Sequence, residues 1–385
     1  CILVSTMLYA SVGRLYTSDK LSSSLITCMC QDKYGYIWIG TEYGLNKFDG
    51  YRFTNYLHSD KDTMTITDNI ISSFIVDRDG QLWVGCGKGL VKYDYHHDHF
   101  IRKVFPIKEH PRVNSMVLNN KGDLLIGTAG YGLFKINRGS KNIIEEKNFV
   151  KRPQDKFYSR IYVDEHGNLW KSSHLSVFSC IKIKNGNPVT IRDFNSPCGP
   201  PMTFLKYNTD NLLIVCMYGI LQYNYSTGRM SDAGYDLTEL KGNNVSMRKA
   251  IIDHAGNLYV GTLGSGLMVI PKGGRKLVKV ENNNGSFSLA SSNANSVIED
   301  KDNNLWVGCY KKGLLLLNDR KAAFSTWSFS AQNLDIGSSV SSMVKGDHGD
   351  TWCTVQNNGV YRFDMKGKIV SHPSSPVGTN IIYRD

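Results

Sequence analysis

The sequence predicts an all-β fold, and three observations predict it. Glycine is frequent (36) while proline is scarce (10), aromatic residues are plentiful (21 Tyr, 15 Phe, 6 Trp), and short apolar runs ending in Trp-x-Gly recur along the 385 residues. Glycine-rich turns between short strands of aromatic and β-branched residues are the composition of hairpin-built proteins. A hydrophobic content of 41% and a charged content of 21% are the values of a globular chain.

The stretch GYIWIGTEYGLNKFDG (35–50) shows the repeating unit. Aligned on Trp38, the matching positions are Trp83, Leu125, Trp170, Leu213, Tyr259, Trp306 and Trp352, at spacings of 45, 42, 45, 43, 46, 47 and 46 residues. That makes eight copies, of which the fourth (WKSSHLSVF) and fifth (LLIVCMYGILQY) are the most worn. Within a copy, an apolar run such as SSFIVD (72–77) is the first strand, and a D-x-x-G turn such as DRDG (77–80) follows. QLWVG is the second strand, a short polar link leads to GLVKYD as the third, and HFIRKVF is the fourth. Four short strands at a period of 40–50 residues are the signature of a β-propeller blade, which cannot bury its faces alone and must stack. The Trp is expected to pack on the next blade, the glycines to permit turns and close backbone approach, and the turn acids Asp32, Asp77, Asp164, Asp253 and Asp300 to bond turn backbone.

Eight copies admit one eight-bladed ring, or a β-propeller of four-stranded blades with a seven-bladed first ring plus the start of a second propeller. The second is preferred, because NIIYRD (380–385) resembles the first strand of a ninth copy. GRLYTSDKLSSS near the N-terminus resembles the fourth-strand tail FTNYLHSD, so residues 14–18 are expected to lend an outer strand to the last blade of the first ring. The opening CILVSTMLYASVGRL reads as the tail of a secretory leader, with cleavage after Ala10 or Gly13; the alternative is a buried first strand. The expected organisation is a signal-peptide remnant at 1–13, a first propeller of seven repeats at 14–330, and the first blade of a truncated second propeller at 331–385.

Several function classes are disfavoured. Net charge is +11, yet no basic run or RNA-binding signature occurs, so no nucleic-acid partner is expected. Nine cysteines include no C-x-x-C pair, which argues against a zinc site or a dense disulfide framework. No G-x-S-x-G, H-E-x-x-H or P-loop is present, so this segment is not expected to be an enzyme and no catalytic residue, metal or cofactor is assigned. YHHDHF (95–100) gathers His96, His97, Asp98 and His99; a solvated rim turn is the preferred reading over a metal site.

Binding has better candidates. The links between second and third strands carry Tyr43, Tyr131, Tyr218 and Tyr310, with Lys88 and Lys311 beside them. A tyrosine offers a flat apolar face and a hydroxyl suited to a sugar ring, and equally suited to packing on a neighbouring blade. Four residues before the turn acid, the inner strands read Cys28, Ser73, Ser115, Arg160, Thr203, Lys249, Ser296 and Ser342. Small side chains fit a crowded axis; Arg160 and Lys249 break the rule, and Arg248 precedes the latter. Such cations must either pair with acidic side chains or hold an anionic ligand.

The phrase LSSSLITCMCQDKYGYIWIGTEYGLNKFDGYRFTNY (21–56), with TDNIISSFIVDRDGQLWVGCGKGLVKYD (67–94) and SSNANSVIEDKDNNLWVGCYKKGLLLLN (291–318), resembles the two-component regulator propeller family, the periplasmic sensor region of Bacteroidetes-type hybrid histidine kinases. The resemblance implies two seven-bladed propellers, a β-sandwich, a membrane helix and a histidine kinase, the parts after the first propeller being mostly outside this chain. It implies a periplasmic region of an inner-membrane protein, attached to the membrane only through a missing C-terminal helix. It implies oligosaccharide sensing, homodimeric signal transduction and control of glycan-utilisation genes; the positive charge favours an acidic glycan. The alternatives are a scaffold binding a protein partner, and a propeller lyase or hydrolase acting on glycans.

Overall fold

A computed structural model describes residues 12–16, 20–150, 152–173, 175–240, 245–280, 288–289, 292–318, 340–346, 349–355, 358–364 and 368–373. It divides into two compact units, Cys1–Asp319 and Arg320–Asp385. The expected boundary at 330/331 falls in a segment outside the described residues.

In the first unit, antiparallel four-stranded sheets follow one another along the chain, with strands in sequence order in every sheet but the last. Their inner strands are Ile26–Gln31, Ile71–Val76, Val113–Leu118, Arg160–Val163, Pro201–Lys206, Ser246–Ile252 and Ala294–Glu299, here blades one to seven. Each inner strand lies beside the next, and that of blade seven returns to that of blade one. Blade seven is made from both ends of the unit: Val12–Tyr16 pairs antiparallel with Gly313–Asn318, from Val12 opposite Asn318 to Tyr16 opposite Leu314. The sequence places this donated strand at 14–18. The ladder shifts it to Val12–Tyr16, because Gly313–Asn318 offers partners out to Asn318 and the outer strand runs back to Val12 to meet them. Cleavage after Gly13 would remove two of its residues.

The aligned aromatic position builds the interfaces between blades. Trp38 packs with Ile71, Val84 and Tyr93 of blade two; Trp83 with Val113 and Phe134 of blade three; Leu125 with Tyr158 and Ile181 of blade four. Trp170, Leu213 and Tyr259 continue the series onto blades five, six and seven, and Trp306 packs on Ile26, Ile39 and Phe48 of blade one. The indole N–H of Trp38, Trp83, Trp170 and Trp306 donates to the turn carboxylate of Asp32, Asp77, Asp164 and Asp300 at 2.7–2.8 Å. The second oxygen of Asp32 accepts the backbone N–H of Tyr34 and Tyr36. The turn acid is thus structural, as its spacing implies.

Two residues after the aromatic, glycine lets the next blade close in. A Cβ on Gly85 would lie 2.7 Å from Val113, and one on Gly308 would lie 2.6 Å from Ile26. The worn copies solve the same contact differently. In blade four Ser172 replaces the glycine, buried, with its hydroxyl 3.4 Å from the Pro201 carbonyl. In blade five Val215 replaces it and joins the apolar cluster shared with blade six.

The second unit holds one four-stranded sheet: Val340–Lys345, Thr351–Val355, Gly359–Phe363 and Ile369–Ser371. Its core is Cys353, Val355, Tyr361 and Phe363.

Candidate functional site

Each inner strand except that of blade four carries a register irregularity near its start, as between Ile26 and Cys28 or Ile71 and Ser73. An extra residue there re-aims its neighbours out of the ladder. Blades one to three use the freed position for a short polar side chain bonded to the next inner strand or the residues leading into it: Thr27 to the Ile71 carbonyl (2.6 Å), Ser72 to that of Val113 (2.6 Å), and Asn114 to that of Tyr158 (3.0 Å). In blade six the irregularity spans Met247 to Ala250, so Arg248 and Lys249 together oppose Gly261 alone.

Next to these staples, the series read from the sequence converges. Cys28, Ser73, Ser115, Arg160, Thr203, Lys249 and Ser296, one from each inner strand of the first unit, line a single cavity of about 260 Å³. Ser342 belongs to the second unit. The Arg160 Nη1 donates to the carbonyl of Ser159 at 2.9 Å. Among the described residues, neither Arg160 nor Lys249 has a carboxylate partner. Both side chains are open to solvent, yet desolvation by the protein around them lowers the pKa of both below their ordinary values; repulsion from Arg160 adds to this at Lys249, and repulsion from Arg248 and Arg112 adds to it at Arg160. The Cys28 thiol beside them is pushed up to about 12, mainly by burial. Arg248 adjoins Lys249 in the chain but does not line the cavity; it is half-buried, and its Nε is buried without a hydrogen-bond partner. The cavity therefore presents a confined set of N–H donors and positive charge, which matches a carboxylate or sulfate.

The remaining sequence candidates stand apart from this cavity. Tyr43, Tyr131 and Tyr218 are 58%, 40% and 60% exposed, so they are not sealed against neighbouring blades. Their links are fixed by the backbone: Gly44 N–H to Asn69, Gly132 N–H to Lys156, Tyr218 N–H to Cys198. Tyr310 is half-buried with the Lys311 ammonium 5.4 Å above its ring, and the exposed Lys88 lies 3.9 Å from Asp68. None of these six residues lines the axial cavity.

Two larger cavities, each about 580 Å³, lie off the axis. The first runs between blades three and four, and the charged pair in its wall, Lys135 and Glu146, is already closed at 2.7 Å. The second is bordered by His97, Asp98 and His99 of the rim turn. Asp98 is held there by Lys47 and the hydroxyls of Tyr56 and Tyr93. Asp94 bonds His97 at 3.0 Å, which brings its carboxyl down to about 2. Sequence reasoning missed these cavities, because neither follows the repeat.

Fold and cavity together define a β-propeller with a cationic axial pocket. Within that class, residues 20–43, 65–88 and 288–311 match the family model described as two component regulator propeller. A stretch of 49 residues is 45% identical to Histidine kinase P4 of Formosa agariphila, covering 13% of this chain and 4% of that protein. The extracellular domain described as that of hybrid two component system BT3049 from B. thetaiotaomicron superposes with a TM-score of 0.69 at 20% identity, covering 96% of this chain and 50% of that one. A virginiamycin B lyase from Staphylococcus aureus superposes with a TM-score of 0.60 at 13% identity, over 80% of this chain and 98% of the lyase. At these identities the likeness to solved structures is one of fold. The chain spans about half the length of the Bacteroides domain and a small part of the kinase.

Proposed function

We propose that this chain is the periplasmic ligand-sensing part of a two-component sensor histidine kinase, that it binds an oligosaccharide, and that the parent protein controls glycan-utilisation genes. The observation that carries the reading is the pair Arg160 and Lys249, facing each other's charge in one axial cavity without a carboxylate partner among the described residues. Confined like charges cost free energy that an incoming carboxylate or sulfate offsets. An acidic glycan is accordingly the favoured ligand, with Arg248 as a third donor. The repeat family and the stretch shared with a histidine kinase support signal output from a kinase elsewhere in the parent chain. In this reading the first unit, from Val12 on, forms a seven-bladed propeller and 331–385 begin a second. Ligand binding favours one arrangement of a homodimer, since a ligand that binds two states equally shifts neither. No helix among the described residues is long and apolar enough to cross a membrane.

The test is a thermal-shift screen against neutral and acidic oligosaccharides. Free ligand at a hundred times Kd stabilises by about 2.7 kcal/mol, a shift of several degrees. The expected result is a dose-dependent rise with an acidic glycan that is lost in Arg160→Ala and in Lys249→Ala. A rise that survives both changes moves the site off the axis. The exposed Tyr43 and Tyr218 favour a second reading, a scaffold for a protein partner. Absence of any glycan response from the two-propeller parent region would favour that reading.

A further inference from the structure

Blade five sets a second thiol, Cys198, beside Cys216, which holds the repeat position also occupied by Cys86 and Cys309; neither lines the axial cavity. Cys198 precedes the inner strand Pro201–Lys206, and Cys216 ends the second strand, Asn211–Cys216. A single hydroxyl reaches both: Ser196 Oγ lies 3.5 Å from the Cys198 sulfur and donates to the Cys216 sulfur at 3.4 Å. The backbone draws the same two segments together, with the Tyr218 N–H donating to the Cys198 carbonyl at 2.9 Å and the Met217 N–H to that of Pro200 at 3.0 Å. The approach is close enough that a Cβ on Gly219 would fall 2.7 Å from the Cys198 side chain.

We propose that Cys198 and Cys216 are a dithiol site that a small-molecule disulfide converts reversibly to an intramolecular disulfide. Cys198 is half-exposed and meets the oxidant; Cys216 is buried behind it and resolves the intermediate. The hydrogen bond from Cys216, aided by Ser196, brings the Cys198 thiol down to about 6, while Cys216 is pushed well up. Burial raises Cys28, Cys86, Cys180 and Cys309 instead, to between about 11 and about 12, so the thiolate at neutral pH is concentrated on Cys198. In the first step the Cys198 thiolate attacks one sulfur of oxidised glutathione, forming a mixed disulfide and releasing one glutathione thiolate. In the second, Cys216 gives up its proton and attacks the Cys198 sulfur, and the second glutathione thiolate leaves. Two cysteine thiols are oxidised and one glutathione disulfide is reduced to two thiols. The bond would fasten the approach to the inner strand onto the turn that carries Tyr218.

The full chain is incubated natively with oxidised glutathione, free thiols are blocked with N-ethylmaleimide, and the protein is digested and mapped by mass spectrometry. The expected result is a peptide pair joined through Cys198 and Cys216, two hydrogens lighter than the reduced pair, that dithiothreitol returns to two free thiols. Full N-ethylmaleimide labelling of both cysteines, or a Cys198–glutathione adduct that persists without a joined pair, would overturn the proposal. Cys198→Ser removes the joined pair, and Cys180→Ser retains it.

Discussion

The carboxylates of Asp32, Asp77, Asp164 and Asp300 divide their work between two oxygens: one organises its own turn, and the other receives an indole N–H from six residues further on. Local spacing makes the first role legible in the sequence, since D-x-x-G is a turn by its own chemistry. The second depends on the hairpin bringing the Trp back over the turn, which spacing alone does not reveal. The turn glycine is similarly legible, at Gly80 with φ of 75°; in blade seven Asn303 takes that place with φ of 65°, as asparagine tolerates the left-handed region. Gly261 carries the sharpest residue-scale consequence. A Cβ there would lie 2.6 Å from the carbonyl oxygen of Ala294, and backbone yields less than a side chain. Gly261→Ala is expected to cost about 1–3 kcal/mol in urea unfolding. A stability within experimental error of the parent would show that blades six and seven separate without cost.

Blade four is the element in which the repeat is hardest to read and the substitute chemistry richest. Its second strand, Leu169–Ser172, places Lys171 where its ammonium meets Asp155 at 3.2 Å; Arg152 bonds the same carboxylate at 3.0 Å and Asp193 at 3.0 Å. The Lys171 ammonium also lies 4.9 Å from the ring of Tyr158. Asp155 and Lys171 are 16 residues apart and belong to different parts of the unit, so no local pattern announces their meeting. Burial alone would raise the Asp155 carboxyl, but the bonds to Arg152 and Lys171 outweigh it and hold the group below its ordinary value. A lowered folded-state value means that the stabilisation is complete above the unfolded value of about 3.9 and is lost as pH falls through the folded one. Asp155→Asn leaves Lys171 buried without its countercharge and is expected to cost about 3 kcal/mol at pH 7. Melting temperatures of the two proteins should converge as pH falls below about 4. A gap that stays constant over that range would rule out the ion pair as its source.

For the whole molecule, eight copies of one pattern made the blade and its stacking legible, and the axial series from Cys28 to Ser296 could be drawn from the sequence because it keeps a fixed offset from the turn acid. The exact reach of the donated strand could not, since resemblance to FTNYLHSD identifies an outer strand but not its register. The off-axis cavities and the Cys198–Cys216 pair follow no repeat and emerge only from the fold. The donated strand itself is open to test. A chain beginning after Tyr16 is expected to melt lower and to show faster amide exchange in Gly313–Asn318, whose outer edge it would leave unpaired. Unchanged protection there would mean that blade seven needs only three strands.

The strand Val12–Tyr16 also sets an order of assembly. It leaves the ribosome some 300 residues before the edge it covers. Bringing segments that far apart together is entropically slow, although each doubling of the loop adds only about 0.6 kcal/mol. Of the two paired strands, the one synthesised earlier therefore waits for the later one. Until then, the nascent protein carries a loose end and an open sheet edge, and both are points where a chaperone, a protease or a neighbouring copy of the chain can intervene.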